Sequence, residues 1–243
     1  GGTGTIGGSR YWGAAMTLVN QGTIRADVSG QTLTISGAGF TNDPNATSQV
    51  SSGATLSVVS TNWSNASNIV VSGGTFNMGG TFTTTGIGSI TNVGGTVNII
   101  GTLNNAGATL TLNGTTGSWN LAGGTITGGT VNLTSPATLV PTAATSNRLV
   151  GVTVNGDLSI PSNGVVRIGG GLSVNGVVHL IGGSADLAFE GTQTLSAGTI
   201  AFESGGLIEM VSAGTLTIAP GVTIRGGTGT IGGSRYWGAA MTL

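Results

Sequence analysis

Apolar and polar positions alternate along this chain in short runs, each bounded by Gly or Asn. The runs are "TLTIS" at 32–36, "TLSVV" at 55–59, "TFNMG" at 75–79, "TVNII" at 96–100, "TLTLN" at 109–113, "TVNLT" at 130–134 and "TLTIA" at 215–219. One parity is apolar, as in Leu33 and Ile35, Leu56 and Val58, Phe76 and Met78, or Val97 and Ile99. The other parity is Thr, Ser or Asn. A period of two with one apolar face predicts strands that bury one side and wet the other. No helical periodicity of useful length interrupts them.

The starts of successive runs lie 23, 20, 21, 13, 21 and 85 residues apart. "GVTVNGDLSI" at 151–160 returns as "GLSVNGVVHL" at 171–180, and an apolar residue two before Asn recurs at Leu18–Asn20, Phe40–Asn42, Trp63–Asn65 and Ile90–Asn92. Several strands in a period of 20–25 residues are the mark of a solenoid. The fold expected is therefore all-β: a parallel β-solenoid, a right-handed β-helix of roughly ten coils of about 20–23 residues each. A β-sandwich shares the short strands but does not require the regular echoes. The recurrent Asn raises two readings, a ladder of amides from coil to coil or simple tolerance of turn geometry.

A longer repeat frames the shorter one. "GGTGTIGGSRYWGAAMTL" fills residues 1–18 and again 226–243, an offset of 226 − 1 = 225. The domain reading is one continuous solenoid over 1–243, with a 225-residue tandem unit (1–225) and the start of the next (226–243). In such an array the neighbouring unit covers the raw strand edges that a lone solenoid leaves open.

Composition narrows the partners. Only 5% of residues are charged and the net charge is −1; all six basic residues are Arg. No basic run offers itself to nucleic acid or an anionic membrane, and membrane insertion is not expected. The chain has 48 Gly and no Cys, which removes disulfides and thiolate metal sites. Without an initiating Met or a signal peptide, it reads as a mature product or an excised segment.

Runs such as "LVNQGTIRADVSGQTLTISGAGFTND" (18–43) and "GTLTIAPGVTIRGGTGTIGG" (214–233) resemble giant tandem-repeat bacterial surface proteins with β-helix repeats, filamentous-haemagglutinin-like or autotransporter-passenger-like. The resemblance is one of style over the whole chain and carries no catalytic motif. It implies an extracellular or cell-surface location and a structural role in a fibre or filament, or the role of an adhesin presenting glycan- or protein-binding loops.

Candidate chemistry is sparse. Gly2, Gly4 and Gly7 spell G-x-G-x-x-G, but a dinucleotide site needs a helix next, and strand pattern follows. Among the acids Asp27, Asp43, Asp157, Asp186, Glu190, Glu203 and Glu209, the pair Asp186 and Glu190 is the one to test for carbohydrate chemistry, against a favoured solvated-surface role. His179 falls on an outward parity. Thr-x-Thr pairs raise ice binding, and Asn45, Asn62, Asn65, Asn113 and Asn132 form sequons. The expectation is no enzyme, no cofactor and no metal. Arg10, Tyr11, Trp12, Arg235, Tyr236 and Trp237 concentrate the residue types of interface hot spots. They contact a neighbouring fibre or a glycan, or they cover the coil beneath.

Overall fold

The computed structural model describes residues 3–8, 13 and 15–242. It is a parallel β-solenoid of about 10 turns, 58% strand and 2% helix. Each turn carries strands on three sides. The first side stacks Gly4–Ile6, Thr32–Ile35, Thr55–Val58, Thr75–Met78, Thr96–Ile99, Trp119–Leu121 and Leu139–Pro141 in that order. The second begins Thr17–Asn20, Gly39–Asn42, Asn62–Asn65, Thr81–Thr83 and Thr102–Asn104. The third begins Thr23–Ala26, Thr47–Ser51, Asn68–Ser72 and Ser89–Val93.

Later turns run their corners into the strands. Arg148–Asn155 spans two sides, and Val165–Leu180 spans all three. Gly170 and Gly171, at φ 65° and 87°, turn the chain where the register shifts; a side chain there would be strained.

The turn length explains the irregular echoes in the sequence. The offset of 20 between 151–160 and 171–180 is one turn, pairing Val154 with Val174 and Leu158 with Val178. The 13-residue step arises because Thr96–Ile99 lies on the first side, whereas Thr109–Leu112 pairs with Thr130–Leu133, which in turn pairs with Val154 and its neighbours. The period was sound there, but the two runs are not equivalent positions.

The core is a set of stacked columns. On the second side Phe40, Trp63, Phe82, Leu103, Ile126, Leu149, Ile168, Phe189 and Met210 are all buried, one per turn. The rings of Trp63 and Phe82 lie 4.8 Å apart, and Trp63 Nε1 donates to the Gly79 carbonyl at 2.9 Å. Burying that N–H without an acceptor would offset part of the gain from the indole.

Asn columns run beside the apolar ones. Asn20 Nδ2 donates to Asn42 Oδ1 at 2.7 Å, and Asn42 Nδ2 to Asn65 Oδ1 at 2.7 Å, inside the coil. A second ladder joins Asn120 to Asn98 and Asn98 to Asn77 on the first side. The amide ladder is thus real, with one exception. Asn92 sits on the third side, where its Oδ1 accepts from Gly95 N at 2.9 Å, so Ile90–Asn92 is not a rung.

The two copies of the eighteen-residue segment occupy different sides. Gly4–Ile6 lies on the first side against Leu33–Ile35. Counting first-side strands onward from 32 through 55, 75, 96, 119, 139, 158, 178, 199 and 223 gives ten turns. Thr230–Ile231 then follows one side further on, paired with Leu207 and Ile208 on the second side. Met241–Thr242 comes next, beside Gly214 and Thr215. A span of 225 residues is therefore ten turns plus one side.

Candidate functional site

The second copy of "SRYW" packs onto the turn beneath it. Alternation along Asp186–Glu190 points Leu187 and Phe189 into the core with Ile208 and Met210. Asp186 and Ala188 take the opposite face, which Glu209 shares from the next turn. That face is also buried: Asp186 is 1% exposed and Glu209 0%. The segment after Ile231 supplies the partner groups. The Arg235 main-chain N–H donates to Glu209 Oε2 at 2.6 Å, and its Nη1 donates to the Ser184 carbonyl at 2.8 Å.

The aromatics join this contact from outside. The Arg235 guanidinium lies 4.8 Å from the Tyr236 ring centroid, and Tyr236 meets Trp237 edge-on at 5.5 Å. Arg167 stands 6.0 Å from the Trp237 ring. Trp237 is half-buried, and Tyr236 keeps 42% of its surface. Of the two readings of "SRYW", covering the coil beneath is what the second copy does. Arg10, Tyr11 and Trp12 of the first copy lie outside the described residues.

The electrostatics of the covered face are unusual. Both Asp186 oxygens and Glu209 Oε1 are buried without a hydrogen-bond partner. Burial first, then the adjacent Glu209 carboxyl, pushes the Asp186 pKa up to about 8, against a smaller opposing pull from Arg235. Two carboxylates this close and this dry hold a proton at neutral pH.

Asp186 and Glu190 do not form a pair. They share a strand face, but four residues separate them, about 13 Å at ~3.3 Å per residue. Glu190 lies between two arginines instead, bonded to Arg148 and held by Arg167 Nη2 at 2.6 Å. Burial would raise its pKa, but the bonds and charges of the two arginines prevail and lower it. The expected solvated-surface role fails for both acids, since Asp186 is sealed in and Glu190 is paired. Neither is placed to act on a sugar. The partner of Asp186 was in principle legible, because 209 − 186 = 23 is one turn.

The remaining candidates fall on ladders as well. His179 Nδ1 lies 2.7 Å from Glu203 Oε1, and its Nε2 lies 3.8 Å from Asp157 Oδ2, each a turn away. Among the described residues no group of three His, Cys, Asp or Glu could hold a metal ion. Thr81, Thr102 and Thr125 make an outward row that ends at Arg148 and Arg167, so no flat Thr face runs the length of the rod. The glycine motif, complete in the second copy as Gly227, Gly229 and Gly232, leads into non-helical chain. Asn65 is 3% exposed in its ladder, which removes it as a glycan acceptor.

No family model, curated protein or solved structure matches this chain. The stacked columns and parallel registers define its class: a β-solenoid, in keeping with β-helix repeat proteins.

Proposed function

We propose that the chain is a structural repeat of a giant extracellular β-solenoid, a fibre or stalk lengthened by 225-residue units that meet end to end at the eighteen-residue segment. The observation that carries this reading is the pairing of that segment. Its first copy is stacked on the turn that follows it, and its second copy on the turn that precedes it. The same residues therefore have compatible neighbours on both edges, which is what a junction inside a continuous rod requires.

Other features support it. The ionisable groups of the later turns are engaged in pairs along the rod rather than gathered in a cleft. At ~4.8 Å per stacked strand, ten turns extend about 50 Å. The resemblance to bacterial surface proteins fits a cell-surface location. An adhesin is the second reading, carried by Tyr236, the most exposed aromatic of the docked segment.

Small-angle scattering of two joined units tests the first reading. One rod about 100 Å long is expected, and two rods joined by a hinge would overturn it. Glycan-array binding lost in Tyr236→Ala would move the assignment to the adhesin.

A further inference from the structure

The phase difference between the two copies has a geometric consequence. On the first copy, Thr5 pairs with Thr34 and Ile6 with Ile35, on the first side. Thr17 pairs with Gly39 on the second side. In the second copy the same residues, Thr230, Ile231 and Thr242, are stacked on the second and third sides. Their outer edges have no strand partner among the described residues, and Ile231 is left 38% exposed. No charge on the Thr230–Ile231 strand guards that edge, although edge strands are ordinarily protected against pairing.

We infer that this end face docks a second copy of the chain head to tail and rotated by one side, about a third of a turn. The occupant is the coil 32–42 of the second copy, laid on the register its own first segment shows. Thr230 then stands beside Thr34 of the second copy, Ile231 beside its Ile35, and Thr242 beside its Gly39. In free chains the second copy's residues 3–18 give way to an identical segment, an exchange in which every lost pairing is replaced by its equal. In units joined as one chain the segment is simply shared. The contact is heterologous and open-ended, which makes filaments rather than closed rings.

The rotation sets how the rod presents itself. Each unit advances about 50 Å and turns its docked Arg235–Trp237 segment one side around the axis. The segment returns to the same side after three units, about 150 Å. This deepens the fibre reading and rests on it.

Engineered disulfides test the docking, because the chain has no cysteine of its own. Thr34→Cys with Thr230→Cys places the two thiols nine turns apart within one chain, about 43 Å, so only a neighbouring chain can join them. Oxidation of this variant is expected to yield a ladder of dimers, trimers and higher species. Simple in-phase stacking would instead set Gly4–Ile6 of one copy on Thr223–Gly226 of the other, bringing Thr5 beside Arg225. A ladder from Thr5→Cys with Arg225→Cys therefore overturns the rotation, and monomer from both variants overturns the docking. Thr5→Cys with Thr34→Cys, which closes within one chain, confirms that these positions tolerate cysteine. Scattering from the oxidised monomer keeps the outcomes separate: a single rod about 50 Å long leaves the structural reading standing when the docking fails.

Discussion

The main-chain N–H of Arg235 donates to Glu209 Oε2 at 2.6 Å, joining the repeated segment to a carboxyl group that is wholly buried beneath it. A charge-assisted bond to a main-chain donor fixes the backbone itself and not merely a flexible side chain. Glu209→Ala removes the acceptor and opens a void, so residues 232–240 should lift from the turn below. The chain has no Lys and six Arg, which gives trypsin few sites. Cleavage after Arg235 is expected to quicken about tenfold in Glu209→Ala, the factor given by about 1.4 kcal/mol of lost docking. Cleavage after Arg148 should keep its rate.

Asp186 gives the molecule a dependence on pH of definite sign. Its folded pKa of about 8 lies above the unfolded value near 3.8, so the folded state holds the extra proton between them. The stability this provides is whole below about pH 4, declines as pH rises, and is gone above about pH 8. Asp186→Asn keeps the size and stays neutral. Its melting temperature should exceed that of the parent at pH 8 by a few degrees and fall less between pH 5 and 8.

Glu190 works in the opposite sense. Its pKa is lowered by its arginine partners, so its contribution is present above the unfolded carboxylate range and is lost as pH falls through the folded value. Glu190→Gln leaves Arg148 and Arg167 as like charges on adjacent turns. A loss of about 2 kcal/mol is expected by denaturant titration at pH 7, at the low end for a buried pair because Arg148 is partly solvated.

Asn42 is the centre of the interior amide ladder. It accepts from Asn20 and from Ser48 Oγ, donates to Asn65, and is 0% exposed. Asn42→Leu strands those partners in the core at a cost of about 2–3 kcal/mol. The same change at Asn120, at the end of the ladder through Asn98 and half-buried, should cost under about 1 kcal/mol. Equal losses at the two positions would mean that burial is not what gives the ladder its strength.

Phe189 tests the apolar column in the same way. It is fully buried in the column between Ile168 and Met210. Phe189→Ala should cost about 3–5 kcal/mol, and its unfolding midpoint in urea measures this directly.

Much of this architecture was readable in the order of residues. Alternation along "TFNM" or "TVNI" decides which side chains enter the core, because a strand sends neighbours to opposite faces whatever lies around it. The 20–23 residue echo fixes the turn length for the same local reason. The identity of 1–18 with 226–243 marks a junction without any structure at all. What the sequence could not supply is the phase of each strand around the axis. Runs that look alike at 96 and 109 lie on different sides, and the identical segments do too. Side is set by the sum of all intervening corner lengths, which no local pattern contains. The same sum puts Glu209 over Asp186 and carries Arg235 onto both, so the buried carboxyl pair and the rotation at the junction belong to the tertiary structure alone.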